Sequence, residues 1–255
     1  MTDQLIQTTC RQGLGTITLN RPPLNIMNMA MMAEICDVLD SWRDKRDLKV
    51  VLFEGARKCF SAGVDVREHL GDLAPEMIEL FHGMFRTMDR LGAVTIASVH
   101  GSCLGGGCEL AVFCDLVIAS RDATFGQPEI MVGVFPPIAA HILPRIIGRK
   151  AAMELVLSGK TIPAKEALAL GLVNKVVRRE TLEKETREFV KPYLKLSSEV
   201  LRQTKSAVKA GLNEDLEPSL QIIEDIYLSK LMKTHDANEG LAAFIEKRRP
   251  RWKNE

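Results

Sequence analysis

Short apolar runs alternate with helical patterns along the first half of the chain, and this alternation restricts the fold more than any other feature. The runs are Val50–Phe53, Thr95–Val99 and Leu116–Ala119, each short and apolar enough to be a buried strand. Over residues 29–44 and again over residues 77–91, apolar side chains recur at the spacing of an amphipathic helix. Strands that alternate with helices are typical of α/β folds with a largely parallel sheet. The sequence therefore predicts an α/β fold.

The pattern changes towards the C-terminus. Val173–Val177 is the last run that predicts a strand, and residues 180–248 carry helical stripes instead. Proline and glycine interrupt these stripes at positions 192, 211, 218 and 240. We expect an α/β core with the active site in residues 1–195 and a helical segment in residues 196–255.

Composition excludes several classes of protein. Hydrophobic residues make up 46% of the chain and the formal net charge is +1, so a disordered or strongly basic nucleic-acid-binding protein is not expected. The six cysteines form no C-x-x-C pair and lack histidines at metal-ligand spacing, which favours reduced thiols in a cytoplasmic protein without a metal site. The N-terminus has no basic stretch followed by an apolar run, so no signal peptide is expected, and the 91–108 stretch is too rich in glycine for a membrane span.

One glycine-rich segment has the features of an anion-stabilising turn. Gly101–Glu109 follows a buried strand, contains three successive glycines, and precedes a helical segment from Glu109 to Cys114. Glycines let a backbone approach a ligand closely, and the unpaired N–H groups at a helix start suit a developing oxyanion. The spacing does not match G-x-G-x-x-G, and Gly159-Lys160-Thr161 lacks the earlier glycine of a P-loop. A packing turn is the alternative for Gly101–Glu109.

Two further segments follow strand ends in the same way. Phe60–Asp65 bends around Gly63 and could supply a second N–H donor, or Asp65 could simply cap a following helix. Phe125–Glu129 places a carboxylate directly after a glycine, a glutamine and a proline. A single loop glutamate is usually exposed and without catalytic function.

Together, and in this order, these three segments resemble the signature segments of the crotonase (enoyl-CoA hydratase/isomerase) superfamily. The resemblance extends over nearly the whole chain, including Ala242–Lys247 near its end. It implies a spiral of repeated strand-strand-helix units followed by C-terminal helices. It also implies that residues 196–255 mediate assembly into trimers, often paired into hexamers.

The resemblance also implies roles for individual residues. Glu109 and Glu129 match the two catalytic glutamates of true hydratases, and the residues matching the oxyanion-hole donors are Val64 and Gly106. The residues expected to contact the substrate or its coenzyme A moiety are Ala62, Asp65, Arg67, Phe244 and Lys247. Coenzyme A would enter as part of the substrate and not as a held cofactor. For the basic run Lys247–Arg251, a solvated chain end and a contact with a coenzyme A phosphate both remain open, with RNA binding a third interpretation.

These residues suit the addition of water to a double bond conjugated to a thioester. Two N–H donors would stabilise charge on the thioester oxygen, and two carboxyl groups would move the protons. The start of a helix should lower the pKa of Glu109 and a dry pocket should raise it, and the sequence leaves the outcome open. Double-bond isomerisation, which can run with one carboxylate, and a non-catalytic scaffold or RNA-binding role are the alternatives to a hydro-lyase.

Two stretches differ from the common pattern of hydratases that act on straight-chain substrates. Val134–His141 contains Pro136-Pro137 where many relatives are rich in glycine, and Pro22–Met29 is also unusual. Both stretches resemble those of hydratases acting on cyclic dienoyl-CoA thioesters such as cyclohexa-1,5-diene-1-carbonyl-CoA. A straight-chain enoyl-CoA of fatty acid oxidation remains the alternative substrate. His100 and His141 flank the same region and are interpreted as structural.

Overall fold

The computed structural model describes residues 4–212 and 214–255. Residues 1–3, which belong to the N-terminal stretch in which no signal peptide is expected, lie outside the described residues. The strands of the described part are β1 (Ile6–Arg11), β2 (Leu14–Leu19), β3 (Val50–Gly55), β4 (Val94–Val99), β5 (Ser102–Leu104), β6 (Leu116–Ser120), β7 (Thr124–Gly126), β8 (Thr161–Pro163) and β9 (Lys175–Val177). The α-helices are α1 (Met29–Arg43), α2 (Leu73–Arg90), α3 (Gly106–Phe113), α4 (Pro137–Ile146), α5 (Gly148–Ser158), α6 (Ala164–Leu170), α7 (Leu182–Leu194), α8 (Ser198–Gly211), α9 (Leu216–Asp225) and α10 (His235–Ile245).

A six-stranded sheet forms the centre of the molecule. Its order is β1-β2-β3-β4-β6-β9, in which β1 pairs antiparallel with β2 and every other neighbouring pair is parallel. All six residues of β4 are buried, because helices cover both faces of this part of the sheet. Strands buried on both faces are continuous apolar runs, which is the pattern that the sequence shows at Val50–Phe53 and Thr95–Val99.

A second, three-stranded sheet stands beside the first, in the order β5-β7-β8. β5 follows β4 directly and leads into α3, and β7 likewise follows β6 and precedes α4. Each of these turns therefore adds one strand to the large sheet, one strand to the small sheet and one helix. β5 and β7 pair in parallel over Ser102–Leu104 and Thr124–Gly126, so the segments that follow them leave the small sheet at the same edge.

Two predicted element boundaries were wrong. α3 begins at Gly106 and not at Glu109, because Gly106 and Gly107 are needed for close packing despite their poor helix propensity. A Cβ atom on Gly107 would lie 2.5 Å from the Cβ of Ser61. The last strand begins at Lys175 and not at Val173, whose side chain is buried in the core.

Helices α7 and α8 pack on one face of the large sheet. Val190 of α7 packs against Val50, Leu52 and Ile96, and Lys205 of α8 donates to the Ala93 carbonyl at 3.0 Å. No helix in the described residues combines the length and the apolar character needed to cross a membrane. The division at residue 195 stays a prediction.

Candidate active site

Glu109 lies in the first turn of α3 and is almost completely buried, with 1% of its surface exposed. Its Oε1 accepts two hydrogen bonds from the start of α4, from the Ile138 N–H at 2.7 Å and from the Ala139 N–H at 2.8 Å. The carboxyl group is thus held by a helix other than its own. Two hydrogen bonds to one oxygen fix the orientation of the side chain.

Glu129 follows β7 in the 3-10 helix Pro128–Val132. Its carboxyl group lies over Gly105, where a Cβ atom would be 2.7 Å from Oε1 of Glu129. Gly105 has a φ of +50°, so both its conformation and its space require glycine. Oε2 of Glu129 is buried and has no hydrogen-bond partner among the described residues. An unpaired buried carboxyl oxygen is available to a ligand or to water.

Burial dominates the protonation of both carboxyl groups. It raises the pKa of Glu109 to about 8, helped by the negative charge of Glu129 and opposed by the Ala139 and Ile138 N–H groups. Burial also raises the pKa of Glu129 to about 7. Of the two opposing effects that the sequence left open for Glu109, desolvation is therefore the larger. Both carboxyl groups therefore titrate near neutral pH, as a site needs if it must both give and take protons.

Two backbone N–H groups without an acceptor lie close together on neighbouring segments. The N–H groups of Val64 and Gly106 donate to no acceptor among residues 4–212 and 214–255. The two residues are adjacent, since a Cβ atom on Gly106 would lie 2.5 Å from Cγ2 of Val64. A Cβ atom on Gly63, which has a φ of +117°, would lie 4.0 Å from the Gly106 nitrogen. The predicted pair of donors is thus brought together.

Asn25 and Ser61, which sequence reasoning missed, position the Val64 donor. The Asn25 side chain donates to the carbonyls of Cys59, at 2.8 Å, and Phe60, at 3.2 Å. The Ser61 hydroxyl donates to the Asn25 carbonyl at 2.7 Å and accepts the Gly63 N–H at 3.2 Å. The one signal that could have found Asn25 is its place in the unusual Pro22–Met29 stretch.

A cavity of about 530 Å³ opens beside the Val64 donor. Its lining includes Ala62, Val64, Asp65 and two arginines, Arg21 and Arg67. Asp65 binds Arg67 at 2.8 Å and Arg21 at 3.3 Å, and these partners hold its pKa well below the usual range. Asp65 also accepts the Arg67 N–H, so it caps the 3-10 helix Val66–His69, as the alternative interpretation expected. Arg21 was not predicted from the sequence.

The remaining predicted residues lie elsewhere in the chain. Phe244 is 85% exposed on α10, and Lys247 follows that helix at a φ of 57°. Their predicted contacts are with a substrate, often on a neighbouring subunit, and stay a prediction. His100 is buried and its Nε2 lies 3.1 Å from the Arg57 carbonyl, which agrees with a structural role, while His141 is exposed beside Arg145.

Comparisons with known proteins all lead to one family. The profile of the family described as "Enoyl-CoA hydratase/isomerase" matches residues 9–255. A probable enoyl-CoA hydratase, echA8, of Mycobacterium tuberculosis is 39% identical over 99% of this chain and 99% of its own length. The cyclohexa-1,5-dienecarbonyl-CoA hydratase of Thauera aromatica is 36% identical over 93% of this chain and 92% of its own.

The fold comparison leads to the same kind of protein. A crystal structure of an enoyl-CoA hydratase from Mycobacterium smegmatis superposes with a TM-score of 0.92, at 30% identity, over 98% of this chain and 99% of that one. The crotonase-like α/β spiral expected from the resemblance is therefore confirmed, and so is the family.

Proposed function

Since the chain belongs to the enoyl-CoA hydratase/isomerase family, we propose that it is a hydro-lyase that adds water to the conjugated double bond of an acyl-CoA thioester. The observation that carries the proposal is that the Glu129 carboxyl group lies over Gly105, beside the unpaired N–H groups of Val64 and Gly106, and that its charge reaches the buried carboxyl group of Glu109. The pKa of both carboxyl groups is raised. Some of its relatives have names that state a specific hydratase activity, such as the crotonyl-CoA hydratase of Syntrophomonas wolfei at 34% identity.

The thioester oxygen is proposed to bind between the N–H groups of Val64 and Gly106. As the oxygen of water bonds to the β-carbon, the π electrons of the double bond move through the α-carbon onto the thioester oxygen. Preorganised donors at that oxygen lower the barrier by about 2.7–4 kcal/mol each. Both donors belong to the protein backbone, so no side-chain movement is needed as the charge develops.

The two glutamates are proposed to carry out the two proton transfers of the reaction. The ionised member of the pair takes the proton that water loses. The protonated member gives its proton to the α-carbon as the enolate electrons return to form the carbon–hydrogen bond. Water is thus added in full, and one proton passing between Glu109 and Glu129 restores the starting state. Each such transfer contributes roughly 10²–10⁴ in rate.

The coenzyme A part of the substrate is proposed to follow the cavity beside Ala62 and Val64. Arg21 and Arg67 line that cavity, and Asp65 balances only part of their charge. Arginine is well suited to phosphate, because its planar fork matches two phosphate oxygens. Coenzyme A is therefore proposed as a part of the substrate, not as a resident cofactor.

The test is mass spectrometry of the product that the purified protein makes from crotonyl-CoA. A gain of one water supports the hydratase. Unchanged mass with a moved double bond would favour isomerisation, the second activity of the family, although two carboxyl groups exceed what that reaction needs. Complete recovery of substrate, with a folded protein, would favour a non-catalytic role.

A cyclic dienoyl-CoA is the finer proposal for the substrate. Two observations support it: the Thauera aromatica relative is named for such a substrate, and Pro136 and Pro137 stand at the helix start that binds Glu109. Bulky, rigid prolines would shape the acyl pocket for a flat ring. Hydration of cyclohexa-1,5-diene-1-carbonyl-CoA in preference to crotonyl-CoA would support this assignment, and the reverse preference would favour fatty acid oxidation.

Assembly into trimers or hexamers and a cytoplasmic location are proposed as well. Exposed apolar side chains on α10, namely Leu241, Phe244 and Ile245, support assembly through the C-terminal segment. All six cysteines lie in the described residues and are free, which suits a reducing compartment.

A further inference from the structure

Two N–H groups in the first turn of α4 have no acceptor within the helix. The first turn of a helix leaves its N–H groups without acceptors inside the helix. Pro137 has no N–H, and the Ala140 N–H already donates to the Pro136 carbonyl at 2.9 Å. The donors that remain in this turn are the N–H groups of Ile138 and Ala139.

Both remaining donors bind the same atom, Oε1 of Glu109, at 2.7 Å and 2.8 Å. Oε2 of Glu109 has no hydrogen-bond partner in the described part of the chain. A proton on Oε2 leaves both N–H bonds intact, whereas a proton on Oε1 would have to displace one of them. The two oxygens of this carboxyl group are therefore chemically distinct.

We propose that the first turn of α4 is a positioning element for proton transfer, which holds Oε1 of Glu109 so that Oε2 alone exchanges protons with water and substrate. Pro137 is a positioning residue in this arrangement: it fixes the helix start and adds no third donor that could compete for the carboxyl group. The inference rests on the proposed function, because it concerns the proton-transfer step of that reaction.

Few other charges act on Glu109. Glu129, on the 3-10 helix after β7, is the titratable group whose charge reaches it. His141 and Arg145 of α4 are exposed and contact each other, and α3 contributes no other charged side chain. A change in the two N–H bonds should therefore be seen directly in the titration of Glu109.

The first test uses the unmodified protein. In a pH titration followed by NMR, the amide protons of Ile138 and Ala139 should lie downfield and move together with the Cδ resonance of Glu109, assigned through Glu109→Gln. The amide proton of Ala140, which donates to a backbone carbonyl, should not follow it. Equal movement of all three, or none at Ile138 and Ala139, would overturn the proposal.

The second test removes one donor without changing the side chain. Replacement of Ala139 by lactic acid exchanges its N–H for an ester oxygen, and the same replacement at Ala140 is the matched control. The Ala139 ester should raise the pKa of Glu109 by about one unit. Because Glu109 has the higher pKa of the pair and holds the proton near neutral pH, the high-pH limb of kcat/KM should move upward by the same amount. The Ala140 ester should change neither, and equal shifts in both would contradict the proposal.

The two proposals fail in distinguishable ways. The NMR titration needs no turnover, so it can succeed in a protein that does not hydrate crotonyl-CoA. If hydration is normal but the amide resonances of Ile138 and Ala139 do not shift as Glu109 titrates, the proposed function stands and the proposed positioning element is wrong.

Discussion

Glu109 and Glu129 differ from ordinary surface glutamates through their surroundings, not through their chemistry. Each is withdrawn from water, which penalises the ionised form, and Glu109 has in addition a negative neighbour. The sequence shows two glutamates after glycine-containing turns and predicts their pairing only through the family resemblance. The partners of Glu109 are 29 and 30 positions away along the chain, so no local pattern could indicate them.

The raised pKa of Glu109 predicts that the difference in stability between the wild type and Glu109→Gln depends on pH. Between its usual value of 4.5 and about 8, the folded chain keeps a proton on Glu109 that the unfolded chain releases. The free energy of unfolding therefore falls as pH rises through this window. Glu109→Gln removes that penalty, so the variant should match the wild type at about pH 5 and exceed it by on the order of 3–5 kcal/mol at about pH 9.

Chemical denaturation at both pH values measures this difference. Glu180→Gln, at an exposed position, is the matched control and should follow the wild type throughout. Loss of stability in Glu109→Gln at high pH would show that the carboxylate is stabilising and that burial does not dominate.

The elements around the site were predictable where the sequence carries a helical period or a continuous apolar run. β3, β4, α1 and α2 lie where the apolar spacing placed them. The strands of the small sheet, β5, β7 and β8, have three residues each, which is too short for an alternating pattern to be seen. The Asn25 contacts that hold the Cys59–Phe60 carbonyls also could not be predicted, because they join positions more than thirty residues apart.

The junction of β5 and α3 gives a prediction about packing. A Cβ atom on Gly106 would meet Val64 Cγ2 at 2.5 Å and the Phe81 ring at 3.1 Å. Gly106→Ala should therefore push the two N–H donors apart and lower kcat by roughly 10²-fold, comparable to loss of one oxyanion donor. Gly83→Ala on α2, with open space around its Cβ, is the control and should leave kcat unchanged.

Steady-state kinetics with crotonyl-CoA and a thermal melt separate the two effects. If Gly106→Ala folds and keeps wild-type kcat, the Val64 and Gly106 donors do not bind the reacting oxygen.

At the scale of the whole molecule, polar contacts hold the C-terminal segment together and join it to the core. The buried Asp236 carboxylate accepts the N–H groups of Lys253 and Asn254, each at 2.8 Å, which ties the chain end to α10. Lys205 of α8 binds Asp115 at 2.6 Å. A helical end was predictable from composition and periodicity, whereas these contacts depend on the folded arrangement.

The proposed assembly predicts the effect of a charge on α10. Phe244 and Ile245 are 85% and 78% exposed in the single chain, a large apolar area for a helix end. Phe244→Glu should shift the protein from a trimer or hexamer towards the monomer in light scattering coupled to gel filtration. Glu224→Gln, at another exposed C-terminal position, should not. A wild-type protein that is already monomeric would contradict the proposed assembly.

The most direct measurement is hydration of crotonyl-CoA in ¹⁸O-labelled water by the wild type, Glu109→Gln and Glu129→Gln, with the product mass followed over time. The wild type should add one labelled water, and each variant should be slower by at least about 10²-fold while staying folded. Wild-type rates in Glu109→Gln, or a product without label, would contradict a hydratase that moves protons through the two glutamates.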